Sequence, residues 1–493
     1  FALQRFFAGG PSKSSCARRH RYRCPNRAGD RHQHFIRNYI SLPWEVSLSS
    51  LLIKNGLIFG SQSQEIQDVL IKDSLFAEIS PVIEPPENTT ILDASGRWIF
   101  PGVIDPHTHM GIPIKSGYSA DTFASGSRSA LHGGVTTILD FSVLEAGQSL
   151  AESLNTRIKL AGESVCDVGI HVNITRFEPE ILAEIPELIA RGFNSFKVFT
   201  TYAEANMMLT YEQIEAVATI IAQHRGVLMV HSEDNDVITR ASEPFADGKE
   251  IHPRYHGLSR PAKAELVAVS KLGEISDRTN CTIYIVHLNT AAGLAKTTEY
   301  PLLKVETCPH YLLLSDKMYE RKDGQMFVSS PPLRSQADCE ALWLGLQNGQ
   351  IHTIGSDHCP FCLTDKPMGT PFQDIPNGMG GVETLFPTLL AQFMERHLDL
   401  ELLVRLTSRN PAEIFALDHL KGAIKPGLHA DLMIIDPRSI ADNWESRLDT
   451  SLDWNAYTDF PALFPETVIR RGEIVVERGS LNSPLPGILL KSK

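Results

Sequence analysis

Between Ile99 and Asp357, short apolar runs rich in β-branched residues alternate with stretches in which apolar residues recur every three or four positions. The runs are IFPGVIDPH (99–107), VTTILDF (135–141), VGIHVNI (168–174), SFKVFT (195–200), VLMVHS (227–232), IYIVHL (283–288), LKVETC (303–308) and HTIGSD (352–357). A short, almost unbroken apolar run suits a strand covered on both faces, as in a parallel sheet. The stretches between them, such as DTFASGSRSALHGG, PEILAEIPELIARG and TYEQIEAVATIIAQHRG, have helical periodicity and end at Gly, the favoured helix C-terminal residue. Alternation of strand and helix repeated in this way predicts an α/β fold, a (β/α)8 barrel with insertions. The rival, a doubly wound open sheet, would want G-x-G-x-x-G after an early strand, and none is present.

Both flanks have a different texture. LLIKNGLIF with Asn55-Gly56, DVLIKDSLFAEIS and TTILDASGRWIF read as hairpin strands, the Asn-Gly pair as their turn. Similar patterning returns in GLHADLMIIDP (427–437) and ETVIRRGEIVVERGSL (466–481). The expected organisation is therefore a barrel over 99–420 and a small β-sandwich made of 49–98 and 421–481. A disordered or non-native extension over 1–48 and a C-terminal tail over 482–493 complete it.

Charge narrows the partners. The chain carries 46 Lys plus Arg against 58 Asp plus Glu, which argues against a nucleic-acid surface or an anionic membrane. The first segment opposes that trend: nine basic residues (Arg5, Lys13, Arg18, Arg19, Arg21, Arg23, Arg27, Arg31 and Arg37) face Asp30 and Glu45 alone before position 47. Such a segment has the composition of an organelle transit peptide; without it the expected location is the cytoplasm. No run approaches the ~20 apolar residues of a membrane span. The 8 cysteines are dispersed through a long chain, the pattern of reduced intracellular thiols. Cys359 and Cys362 form a C-x-x-C, but no second ligand pair lies nearby to make it a zinc knuckle.

Active sites of such barrels lie at the C-terminal ends of the strands, so polar residues there carry the most information. The first run ends in His107 and His109, the fourth holds Lys197, and the fifth, sixth and eighth end in His231, His287 and Asp357. Taken singly, each has an ordinary reading: a strand-end His paired with backbone, a snorkelling Lys, an Asp capping a helix. Taken together they converge on one point. His107 and His109 are two apart, so on a strand they share a face and can grip one cation. Imidazoles with a carboxylate suit zinc or a similar divalent ion. Lys197 fits such company only if its amine captures carbon dioxide and becomes a carbamate, a carboxylate-like group able to bridge two metals.

These residues, with FKVFTTY (196–202), VHSEDND (230–236), YIVHLNTA (284–291), VETCPHYLLL (305–314), SSPPLR (329–334), GSDHCPF (355–361) and NGMGGVE (377–383), make the chain similar to the cyclic amidohydrolases of the amidohydrolase superfamily. It looks most like the dihydropyrimidinases and hydantoinases, over about 50–480. The resemblance implies a binuclear centre, most often of Zn2+. His107, His109 and Asp357 would hold the buried metal, His231 and His287 the other, and N6-carboxylated Lys197 would bridge them. It implies hydroxide attack on a ring amide of a small cyclic ureide or imide, giving an N-carbamoyl amino acid. Asp357 would shuttle the proton, Tyr202 would donate to the oxyanion, and backbone at Ser330 and Asn377 would clasp the ring edge. It also implies a homotetramer.

Among relatives, dihydroorotases usually place an Arg close behind H-x-H, where this chain has MGIPIKSGYSADTF with only Lys115. Allantoinases share VETCPHYLLL but do not normally supply a Tyr at the place of Tyr202. Allantoinase is thus the alternative substrate reading, followed by dihydroorotase. A non-enzymatic scaffold of the same fold would have no need of six ligand positions.

Overall fold

The computed structural model describes residues 50–60, 64–114 and 117–493. The expectations for 1–48 and for Lys115 lie outside the described residues. All eight apolar runs become parallel strands: β1 (Val103–Thr108), β2 (Val135–Phe141), β3 (Asp167–Asn173), β4 (Ser195–Phe199), β5 (Val227–His231), β6 (Thr282–Ile285), β7 (Leu303–Thr307) and β8 (Thr353–Ile354). They pair in sequence order in one sheet. The two edges meet where Thr108 bridges His358 in parallel and the His109 amide donates to the His358 carbonyl at 2.8 Å. That closure makes a (β/α)8 barrel, and it brings the end of β1 against the residue that follows Asp357.

The strand period of two divides each strand between two cores. Leu228 and Val230 of β5 join the layer under the helices, whereas Val227 and Met229 line the barrel with Ile104, Leu139, Phe141 and Tyr284. Phe415, Leu417 and Leu490 complete this inner core, sealing the floor from the end away from the His residues. Residues 482–493 return to the barrel for that purpose: the Leu490 amide donates to Val168 at 2.7 Å, and Leu489 bridges Val168.

The helices start and stop as their sequences direct. Thr122, Ser149 and Thr210 each form a reciprocal capping box at the start of Phe123–His132, Leu150–Ala161 and Tyr211–Gln223. Gly134 and Gly192 take the expected left-handed φ, 89° and 90°. After Tyr211–Gln223 it is Arg225, at 58°, that does so. Gly226 serves close approach instead, because a Cβ there would lie 2.8 Å from the Asn194 carbonyl oxygen.

Both chain ends build one mixed sheet. Leu432–Ile435 pairs antiparallel with Trp98–Pro101, joining Thr467–Arg470, Glu473–Glu477 and Ser480–Leu481 to Leu51–Ile58, Ile66–Lys72 and Leu75–Ser80. The Asn55-Gly56 hairpin turn is not formed. Leu51–Ile58 is a single strand, and Asn55, at φ 63°, sits in a bulge between Ile53 and Gly56. One edge of the strand pairs with Thr90–Asp93 before the bulge and with Trp98–Ile99 after it. The tight turn is at Asp73-Ser74, both with positive φ, two residues later than the first Ile66–Lys72 strand ends its apolar run.

Among the described residues no helix is long and apolar enough to cross a membrane. Cys359 is a buried free thiol, so the C-x-x-C does not close on itself.

Candidate active site

His107 ends β1, fully buried, and its Nδ1 lies 2.7 Å from Glu306 Oε1 of β7. A carboxylate accepts, so Nδ1 carries the proton and Nε2 presents a bare lone pair. That Nε2 lies 3.2 Å from Asp357 Oδ1 and 3.2 Å from His109 Nε2, and His109 Nε2 lies 3.1 Å from the same Asp357 oxygen. Acceptor faces acceptor, an arrangement that a cation between them would relieve. The three side chains offer ligand atoms all within 4.8 Å of one another. Burial opposes ionisation of Asp357, yet the imidazoles of His107 and His109 hold its carboxyl well below the ordinary range.

The second half of the site adjoins the first. The His231 and His287 ring centroids are 4.6 Å apart, and His107 and His287 are 5.6 Å apart. His231 Nε2 is bonded to Glu233 Oε2 at 2.8 Å, and Arg260 in turn grips Glu233, so Nδ1 of His231 is the bare nitrogen. His287 has a left-handed φ of 40°, its amide donates to Glu306 Oε1 at 3.0 Å, and its Nδ1 is buried without a partner. Buried polar atoms are rarely left so. Burial pushes His231 down to about 4 and His287 well below its usual value, so both rings are neutral and able to ligate.

Lys197 on β4 is buried between outward-packing Phe196 and Val198. Its Nζ lies 5.1 Å from the Phe141 ring and 5.5 Å from that of Phe199. Burial lowers it to about 8 against the pull of Glu306 and Asp357, which gives an accessible free-amine form.

Tyr202 stands on a left-handed residue, φ 68°, with its ring 5.0 Å from His231 and the Arg260 guanidinium 5.0 Å over its other neighbourhood. Burial pushes its hydroxyl up to about 12, so it remains a donor; Ser330 lies beside it. Non-glycine residues with positive φ are uncommon, and three of them (Tyr202, His287 and Asp357, at 48°) fall in this site. Asn377 is exposed on the loop after β8, next to Gly378. Thus the six ligand candidates and Tyr202 come together, Ser330 borders them, and Asn377 lies at the rim.

Several participants were not singled out in the sequence. Glu306 is fully buried and joins His107, the His287 amide and the Tyr284 hydroxyl, the last at 2.8 Å. A carboxylate inside the apolar run LKVETC was the available signal, since buried carboxylates need partners. Glu233 with Arg260 orients His231 in the same way. Cys308 and His310, just past β7, offer atoms within 4.8 Å of Asp357 and of each other, and both His310 nitrogens are buried without partners.

Residues 98–475 match the model of the amidohydrolase family. A D-hydantoinase of Ralstonia pickettii is 33% identical over 454 residues, covering 90% of this chain and 99% of that protein. A D-phenylhydantoinase of Escherichia coli O1:K1 / APEC is 34% identical over 421 residues, 83% of this chain and 90% of its own length. The crystal structure of dihydropyrimidinase from Brevibacillus agri NCHU1002 superposes with a TM-score of 0.86 at 28% identity, covering 90% of this chain and 99% of that one. With its barrel, its strand-end ligand groups and these relatives, the chain belongs to the amidohydrolase family, as an enzyme of the hydantoinase and dihydropyrimidinase type.

Proposed function

We propose that this protein hydrolyses the ring amide of a 5-substituted hydantoin or a dihydropyrimidine to the N-carbamoyl amino acid. The observation that carries this is the pair of imidazole nitrogens, of His107 and His109, facing Asp357, with His231 and His287 beside them: a donor set of His and carboxylate, in which Glu306 orients His107 and Glu233 orients His231, is one that fits divalent zinc. His107, His109 and Asp357 would hold one ion and His231 and His287 a second. Lys197 would join both as its N6-carboxylated form, made when the free amine attacks carbon dioxide and releases a proton. When bound, such ions supply a water acidified toward neutral pH and an electrophile for the ring carbonyl.

The chain's own groups do the rest. Asp357, ionised and near His107, His109 and His287, accepts the proton of the attacking water and returns it to the departing ring nitrogen. The Tyr202 hydroxyl, protonated at working pH, donates to the oxygen on which negative charge develops. Backbone at Ser330 and Asn377 holds the flat imide edge, so that the ring carbonyl is presented to these groups. Rates on dihydrouracil, 5-substituted hydantoins, allantoin and dihydroorotate, measured in parallel on zinc-loaded protein, test the reading. Hydantoins or dihydrouracil are expected to lead; a tenfold lead for allantoin would reassign the substrate.

A further inference from the structure

Lys366 lies on the loop after β8, nine residues beyond Asp357, and is completely buried. Among the described residues no carboxylate is bonded to its ammonium. The three N–H groups go to three backbone carbonyls: Met326 at 3.2 Å, Val328 at 2.9 Å and Gly378 at 2.6 Å. That is the full donor capacity of an ammonium. Met326 and Val328 belong to the loop after β7, four and two residues before Ser330; Gly378 belongs to the loop after β8, directly after Asn377. The same two loops are joined once more, by the Gly378 amide donating to Val328 at 3.0 Å.

The seam has no slack. Gly378 is at φ 140°, and a Cβ there would lie 2.6 Å from the Cys359 carbonyl oxygen, so the backbone is pressed against the strand-8 exit. The Cys359 amide donates to Met379 at 3.0 Å, which ties this loop to the residues that follow Asp357. On the other side, His256 Nε2 bonds the Ser329 carbonyl at 2.7 Å, so the segment leading to Ser330 is anchored again directly after the Lys366 contacts. The Phe361 ring, 5.2 Å from Lys366 Nζ, closes the remaining side.

We propose that Lys366 is a positioning residue of the substrate cleft, clamping the loop after β7 to the loop after β8 and so setting the separation of the backbone at Ser330 from that at Asn377. This rests on the reading that those two backbones hold the ring edge. A flat ring bonded from two sides tolerates little change in that separation, so loosening the clamp weakens binding while the groups around Asp357 keep their places. The role is one for which a hydrophobic residue of equal length cannot substitute, because the Met326 and Gly378 carbonyls would lose the Lys366 donor and that of Val328 would keep only the Gly378 amide.

The test compares wild type with Lys366→Gln, which keeps two N–H donors, and Lys366→Met, which keeps none. KM for the best cyclic amide is expected to rise in that order, by at least tenfold in Lys366→Met. The expected kcat stays within threefold and the metal content within a tenth of wild type. Hydrogen exchange should accelerate at residues 326–330 and 377–380 and stay unchanged in the barrel strands. An unchanged KM, a fall in kcat at constant KM, or unchanged exchange in the two loops overturns the proposal. So does failure of both variants to fold, which would make Lys366 a structural post. If wild type opens no cyclic amide, the substrate reading fails, while the exchange data still decide whether the clamp exists.

Discussion

Replacing Glu306 by Gln separates the role of a buried carboxylate from that of its shape. Glu306 bonds His107 Nδ1 at 2.7 Å, the His287 amide at 3.0 Å and the Tyr284 hydroxyl at 2.8 Å. Glutamine can keep its carbonyl oxygen toward His107 and His287. The Tyr284 hydroxyl, already 2.6 Å from Thr353 Oγ1, can turn to donate there and accept from the new amide. Geometry is conserved, therefore, and what is lost is charge. A hydrogen bond to an ionised group contributes about 1.5–3 kcal/mol and a neutral one about 0.5–1.5, a difference of roughly 1–2 kcal/mol at His107. The His107 ring becomes correspondingly less basic at Nε2, and outer carboxylate partners of ligating His are worth about 10–100-fold in metal affinity. Competition between the protein and a chelator of known zinc affinity, followed by metal analysis of the recovered protein, measures this. Zinc binding weaker by that factor, with kcat largely restored in excess zinc, is expected. Affinity within twofold of wild type would refute the reasoning, because Glu306 would then be a packing group only.

Tyr202→Phe is expected to lower kcat by about 100–1000-fold, the loss typical of one oxyanion donor, with metal content unchanged; steady-state kinetics on zinc-loaded protein checks it, and an unchanged rate returns Tyr202 to packing. Lys197→Ala should lose metal and activity together and regain part of both in millimolar short carboxylic acids; metal analysis with and without acetate distinguishes this from simple unfolding. For pH, burial first and then Arg260 pull His256 down to about 3 from 6.5. The unfolded chain therefore takes up the proton first, and stability that is complete above pH 6.5 is lost as pH falls toward 3. By pH 4.5 this amounts to about 2–3 kcal/mol. Urea midpoints of metal-free protein should fall over that window, less steeply in His256→Gln; equal slopes would remove His256 from the account.

Much of the candidate site could be read from the chain because its candidate ligands sit at strand ends, where an apolar run stops at a polar residue. His107, His109, His231, His287 and Asp357 all follow that rule, and Lys197 interrupts a run in the one way a soluble strand seldom allows. Glu306 escaped because it lies within a run and not at its end, and its partners His107 and Tyr284 are distant in sequence. Glu233 and Arg260 were equally hidden: 27 residues separate them, and nothing local marks the pair. Asn55-Gly56 shows the opposite error. Its turn chemistry is genuine, but the tertiary partners on one edge, Thr90–Asp93 and then Trp98–Ile99, use it as a bulge within one strand.

By itself the sequence determined the alternation of strand and helix, the capping of those helices, and which residue types end each strand, because these depend on neighbours within a few positions. The tertiary structure decided what no local pattern contains. Closure of β1 on the exit of β8 sets His107 and His109 against Asp357. Buried carboxylates choose the tautomers of His107 and His231. The chain terminus fills the barrel floor, and a buried lysine joins two loops across the mouth. Each of these is a contact between segments far apart in sequence, so its energy exists only once the barrel has closed and excluded water from the groups involved.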